Sequence, residues 1–262
     1  MITSRNNPRI KYLCSLAKSK TRESEGVALA EGVHLLLDAA RAGIGIRTVI
    51  MSESMSRHPE AARVHECALA TGADILEISD SCYDKISQLK SPEGVAAVVE
   101  ISRRDLREAF TPDARLLVAA GVQDPGNAGA LARVAEAAAA SGCVFLGGVD
   151  IHGAKFMRAS MGSCFRLPCF AAGNSEFVEL AQVFEMRLLA AHAGENSVAY
   201  DQVEYSSPAA ICVGGEGKGI APEILQISRE IIRIPMSGET ESLNVAVAAG
   251  IILYQARKAW SS

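Results

Sequence analysis

The chain lacks the features that would mark a membrane, secreted or metal-dependent protein. Its most apolar stretches, residues 116–122 and 245–254, fall well short of the ~20 residues that cross a bilayer. Residues 1–20 carry polar and basic positions throughout and hold no continuous apolar segment of the secretory kind, so a cytoplasmic location is expected. Its cysteines (14, 67, 82, 143, 164, 169 and 212) form no Cys-x-x-Cys pair, and its histidines form no His-Glu-x-x-His. Neither a zinc site nor a redox motif is supported, and free, mostly buried thiols with no metal are expected. There is no surplus of positive charge either: 26 basic residues face 30 acidic ones, a net −4. That excludes a nucleic-acid binder that is basic all over, but not a local basic patch. No internal repeat is found, and no low-complexity tract beyond the short alanine run 137–140. A composition of 49% hydrophobic and 21% charged residues excludes disorder, collagen and coiled coil as whole-chain answers. With 262 residues, one or two domains can each bury a core without disulfides or metal.

What is present is uneven. Residues 1–22 contain Arg5, Arg9, Lys11, Lys18, Lys20 and Arg22 and no acidic residue. This arm reads either as a solvated leader or as a contact to phosphates, with affinity arising from counterion release. Residues 26–101 alternate short helices (33–42, 60–70, 81–89) with short strands (48–51, 74–78, 94–100), and Gly43 and Gly72 end two of the helices. This predicts a small α/β domain over 1–101. Residues 102–113, with their charges and the Thr111-Pro112-Asp113 break, read as a linker. The remaining 114–262 opens with strand 115–121, helix 127–141 and strand 143–146, the spacing of a parallel crossover. Helix 177–184, strands 187–192, 209–214 and 231–234, and a long helix 243–260 extend the sheet.

Three loops follow apolar strands, where open α/β sheets place their ligands. The first is Asp124-Pro125-Gly126-Asn127-Ala128-Gly129, leading to Arg133. Asn127 reads equally as the cap of the following helix, and Arg133 as a solvated helix position. The second is Gly214-Gly215-Glu216-Gly217-Lys218-Gly219-Ile220. It is not a P-loop, because Lys218 is followed by Gly219, and its Gly-x-Gly-x-Gly is not the dinucleotide fingerprint. A tight structural turn and a loop through which backbone approaches a ligand remain equal readings. The third is Ile234-Pro235-Met236 with Glu241-Ser242-Leu243-Asn244-Val245, where Ser242 reads also as an N-cap.

In order and spacing these loops resemble, motif for motif, the SpoU (TrmH-type) RNA ribose 2′-O-methyltransferases of the SPOUT class. The resemblance spans nearly the whole chain. Ile2-Thr3-Ser4, Asn7-Pro8-Arg9-Ile10-Lys11 and Ala30-Glu31-Gly32 look like the leader of the L30e-like substrate-binding domain that many members carry, and Arg158-Ala159-Ser160-Met161-Gly162-Ser163 matches a further stretch. Departures are small. Ala246 stands where members often have Ser, and Ala132 and Val134 flank Arg133 where Ile or Thr is common.

The resemblance implies a C-terminal α/β domain whose parallel sheet is closed by a deep trefoil knot. It implies S-adenosyl-L-methionine as cofactor, held through the backbone at Gly214, Gly215, Ile234, Met236 and Leu243. It assigns Asn127, Arg133, Glu216, Ser242 and Asn244 to catalysis on RNA, in particular ribosomal RNA, within a homodimer formed by the C-terminal domain. Arg133 is commonly given the role of base and comes from the partner subunit. A guanidinium holds its proton too firmly for that role and is better suited to clamping a phosphate and stabilising an oxyanion. The apolar stripe Val245, Ala248, Ala249, Ile252, Leu253 and Ala256, wider than one core contact requires, also points to a dimer. The competing function is a non-catalytic RNA-binding or ribosome-assembly factor that keeps the fold.

Overall fold

The structure is a computed structural model that describes residues 1–101, 104–194, 196–215, 219–237, 240 and 242–260. It divides into two compact units, Met1–Arg103 with His152–Phe165, and Arg104–Ile151 with Arg166–Ser262.

Among the described residues, the first unit has a four-stranded sheet of β1 (Val27–Glu31), β2 (Ile46–Ser52), β3 (Asp74–Ile78) and β4 (Val95–Glu100), in the order β1-β4-β2-β3. β4 runs antiparallel to both neighbours, and β2 pairs with β3 in parallel. β1 is buried along its whole length and had no clear signature in the sequence. The basic arm is not a separate leader. Ile2 bridges Ile78 at the sheet edge, and residues 8–15 and 19–25 form helices. The first of these has a local cause: Asn7 accepts a hydrogen bond from Arg9 N, and Pro8 occupies the first turn, where no amide is needed. Ile10, Leu13 and Leu16 then enter the core with Val27, Ile50, Ile78 and Tyr83. Arg22 is 2% exposed and donates to Leu16 O at 2.6 Å, whereas Arg5, Arg9, Lys11, Lys18 and Lys20 stay exposed.

One piece of this unit comes from far along the chain. The helix Ala154–Ser160 and the turn after it belong here, although the sequence reading places them in the C-terminal domain. Arg158 pairs with Glu93 at 3.6 Å. Gly162 (φ +77°) lies so close to Asp38 that a Cβ would sit 2.3 Å from its carboxylate, so only glycine fits.

Among its described residues, the second unit has a seven-stranded parallel sheet: β5 (Arg115–Ala120), β6 (Gly142–Leu146), β7 (Cys169–Ala172), β8 (Arg187–Ala191), β9 (Val198–Ala199), β10 (Ala209–Gly214) and β11 (Glu230–Arg233). Their order is β7-β6-β5-β10-β8-β11-β9. β5, β6 and β10 are apolar along almost their whole length, as strands covered on both faces must be. The residues read as a linker are partly core. Leu106, Ala109 and Phe110, on a 3-10 turn begun by Asp105, pack with Leu116, Val144 and Phe177.

Two helices frame the C-terminal end of this sheet, Pro125–Ala137 and Val245–Trp260. They cross at Gly250, where a Cβ would approach Val134 Cγ2 to 3.3 Å. The stripe expected to serve a dimer is largely spent inside the chain, because Val245, Ala249, Ile252, Leu253 and Ala256 are buried. The large apolar side chains that stay exposed on that helix are Val247 and Tyr254, at 52% and 49%. Cys67, Cys82, Cys143 and Cys212 are buried and Cys14, Cys164 and Cys169 partly so, and burial pushes the Cys212 thiol up to about 12. No helix of the described residues is long and apolar enough to cross a membrane.

Candidate active site

A cleft of about 200 Å³ opens at the C-terminal ends of β8, β10 and β11. Ala191, His192 and Ala193 form one wall, and Gly214 lies at the end of the central strand. Ile234, Met236, Leu243 and Ile252 supply apolar surface, and Ser242 reaches the rim. Such walls with strand-end backbone suit a flat, largely apolar ring with a few polar edges, so the residues fit the adenosine part of S-adenosylmethionine.

The described glycines of the loop bordering the cleft, Gly214, Gly215 and Gly219, are packed backbone to backbone. Gly215 N donates to Ala120 O at 2.8 Å, and Gly215 bridges Gly219, which sits at φ +63°. A Cβ on Gly214 would lie 2.8 Å from the Gly219 carbonyl carbon, and one on Gly215 would lie 2.5 Å from Gly121 O. The sequence reading has Gly215 small so that a ligand can approach. Here the space is taken by the chain itself, at the start of the first motif loop. Of the two, Gly214 lines the cleft and Gly215 supports it.

The first and third motifs meet through their helix caps. Asp124, not Asn127, caps the helix Pro125–Ala137: its Oδ1 accepts from Asn127 N at 2.8 Å, with Pro125 in the first turn. Asn127 is thereby left to project its side chain, whose Oδ1 accepts from Asn244 Nδ2 at 2.9 Å. Asn244 in turn caps the terminal helix, accepting from Ala246 N at 2.9 Å, the role the sequence had offered to Ser242. Each helix N-terminus carries a partial positive charge of ~0.5, so the bonded asparagine pair marks a place where two such ends converge. It stands beside the cleft, because Leu243 and Val245 on either side of Asn244 line it.

The structure therefore brings together Gly214, Ile234, Met236, Ser242 and Leu243 at the cleft, with Asn127 and Asn244 next to it. It does not bring Arg133 there. Arg133 is exposed on its helix and, among the described residues, has no hydrogen-bond or ion-pair partner in its own chain. Glu216 lies outside the described residues. The sequence reading missed His192 and Arg233, which also line the cleft. Their signal was position alone, since each follows or ends a strand whose neighbours had been singled out.

Comparison with known proteins agrees with this geometry. Residues 114–254 match the model of the SpoU rRNA Methylase family, and residues 7–97 match an MRM3-like substrate binding domain. A 23S rRNA (guanosine(2553)-2′-O)-methyltransferase, RlmP of Bacillus subtilis (strain 168), is 29% identical over 98% of each chain. A crystal structure of an RNA 2′-O ribose methyltransferase superposes with a TM-score of 0.83 at 35% identity, covering 100% of this chain and 99% of that one. The AdoMet-bound rRNA methyltransferase from Sinorhizobium meliloti gives 0.85 at 30%, covering 98% and 97%. With its family model spanning more than half of the residues, the chain belongs to the SpoU rRNA methylase family.

Proposed function

We propose that the protein transfers a methyl group from S-adenosylmethionine to a ribose 2′-hydroxyl of ribosomal RNA, in the cytoplasm, as a homodimer built through the second unit. The observation that carries the reading is the Asn127–Asn244 hydrogen bond, which joins the first and third motifs beside a cleft suited to the cofactor. The backbone around Gly214 and the apolar surfaces of Ile234, Met236 and Leu243 would hold the adenosine part. When bound, the cofactor supplies an electrophilic methyl group on a sulfonium centre.

The chain's own task is to present the hydroxyl in line with that methyl, and positioning alone can contribute ~7–11 kcal/mol to lowering such a barrier. Asn127 and Asn244, at two converging helix N-termini, offer dipoles to the developing negative charge on oxygen. Arg133 suits clamping the adjacent phosphate and stabilising that oxyanion. Its exposure on a helix, away from its own cleft, supports its serving the partner subunit's site, and exposed Val247 and Tyr254 offer the apolar contact a dimer needs.

The sheet registers support the knotted topology. Ala191 and Val198 flank Ile232 on opposite sides at the same level, so the chain must cross β11 between them, in an arch whose described residues are 192–194 and 196–197, and the chain leaving that strand must pass the arch. Capture of RNA is assigned to the first unit, with exposed Arg5, Arg9, Lys11, Lys18 and Lys20 as phosphate contacts.

The test is to map ribose 2′-O-methyl groups on ribosomal RNA from cells with and without the gene, alongside calorimetry of S-adenosylmethionine with the purified protein. One lost methyl group and a measurable affinity are expected. Binding of RNA without the cofactor would instead identify a non-catalytic assembly factor. Mixing inactive Arg133→Ala chains with inactive Asn244→Ala chains should restore part of the activity, because one hybrid site would then be intact. No recovery would refute the shared site.

A further inference from the structure

This arch does more than pass β11. Its rising leg, Ala191 to Ala193, is a wall of the cofactor cleft, and His192 N donates to Ile232 O at 3.0 Å where that leg leaves the sheet. Its falling leg is fixed by Ser197, which is 6% exposed. Ser197 N and Oγ both donate to Gly194 O, at 3.1 and 2.6 Å, so the residue beside Ala193 is tied to Ser197. The same hydroxyl accepts from Arg233 Nη1 at 3.2 Å. Arg233 ends the strand that the arch crosses, itself lines the cleft, and lies in register with Ala199 just beyond the arch.

We propose that Arg233 is a positioning residue for cofactor binding: acting through Ser197, it holds the arch so that Ala193 and His192 stay in place as a wall of the cleft. The proposal rests on the cofactor reading given above and adds to it a residue outside the three motifs. The physical reason is specific. Strand pairing fixes the rising leg only as far as His192, and β9 on the other side is two residues long, a weak anchor. The guanidinium supplies the missing tie from the strand lying between the two legs. A Ser hydroxyl that donates to one group and accepts from another uses both of its capacities in a single geometry. Removing the donor therefore loosens Gly194 and the wall beyond it, while the asparagine pair and Arg133 are left untouched.

The experiment measures affinity for S-adenosylhomocysteine, an unreactive probe of the same cleft, by calorimetry on the full-length protein. The variants are Arg233→Met, Arg233→Lys and Ser197→Ala. Arg233→Met and Ser197→Ala should each weaken binding about five- to tenfold, the scale of one lost hydrogen bond. Arg233→Lys should recover most of the loss. KM for S-adenosylmethionine should rise in the same ratio, with kcat at saturating cofactor and KM for RNA unchanged. Wild-type affinity in both Arg233→Met and Ser197→Ala would overturn the proposal, as would a fall in kcat with KM unchanged. If Arg233→Met does not fold, Ser197→Ala and Arg233→Lys decide the matter alone. Failure of the wild-type protein to bind the probe would be a different result: it would remove the cofactor reading and the proposal together.

Discussion

Glu31 in the first unit and Gly215 in the second each hold a loop against the end of a sheet, one with a buried side chain and the other with none. Glu31 is 2% exposed at the end of β1 and accepts hydrogen bonds from Gln88 N at 2.9 Å and from the Ser87 hydroxyl. Its burial pushes the carboxyl above the ordinary range, partly offset by those hydrogen bonds. Gly215 instead sets its backbone directly against Gly121 and Val122. A side-chain anchor has isosteres and responds to pH. A backbone anchor has neither property, because any Cβ takes space that a peptide group already fills. The unit holding the candidate cleft relies on the rigid kind.

The sharpest way to break this comparison is Gly215→Val. Overpacking costs ~1–3 kcal/mol or more where neighbours cannot move, and here the neighbour is backbone. Cofactor affinity should fall beyond calorimetric detection, and normal binding would show that the loop can move aside. Next comes Leu13→Ala. It removes a side chain 3% exposed in the first unit's core, and unfolding of that unit by urea should become easier by ~2–5 kcal/mol. Cofactor affinity should hold within about twofold, since the cleft belongs to the other unit and shares no core residue with Leu13; a parallel loss would show that the two units do not act separately. Deleting residues 1–22 would remove Ile10, Leu13 and Leu16 as well as the cations, so it is a test of folding before it is a test of RNA binding.

Asn244→Ala should act on a smaller scale thermodynamically. The lost cap costs ~1 kcal/mol, read as a lower melting temperature. Turnover should fall far more than stability, because the bond to Asn127 goes with the cap. Equal losses would reduce the pair to a structural role.

Glu31→Gln should have the smallest effect at any one pH and the clearest effect across pH. A carboxyl raised on folding contributes stability below its unfolded value, near the ordinary 4.5, and that contribution is lost as pH rises through the raised folded value. The wild-type first unit should therefore lose stability across that window, and the Gln variant should show a flatter profile in urea unfolding at stepped pH. Parallel profiles would mean that Glu31 is solvated in solution.

The three loops were legible because each is a run of unusual residues behind an apolar strand, and their spacing survives without coordinates. What the residues do there was less legible. Asp124, Asn127, Ser242 and Asn244 are all residue types that cap helices, and local sequence does not say which two do so. The choice is settled by the bond between Asn127 and Asn244, across 117 positions of chain. The N-terminal helix carries its own signal in the Asn7-Pro8 start and the apolar spacing of Ile10, Leu13 and Leu16, but its cations give it the composition of a solvated arm. The transfer of residues 152–165 into the first unit had no local signature at all. Only the need for glycine at 162 hints at it, and the reason for that need, Asp38, lies in a different part of the sequence.

The strand order carries a consequence for how the protein is made. β10 is the middle strand of the seven, and β11 lies between β8 and β9, so two interior positions are filled by the two of these strands that emerge from the ribosome last. Until residue 214 has emerged, β5 and β8 have no common neighbour, and the nascent chain presents their long apolar edges unpaired. Assembly must wait for contacts between distant parts of the chain, which slows folding. For the same reason, translation halted at about residue 208 would not shorten the sheet from one side. It would leave β5–β7 on one side and β8 and β9 unpaired on the other, with two interior positions empty, a species for chaperones and proteases rather than a smaller version of the protein.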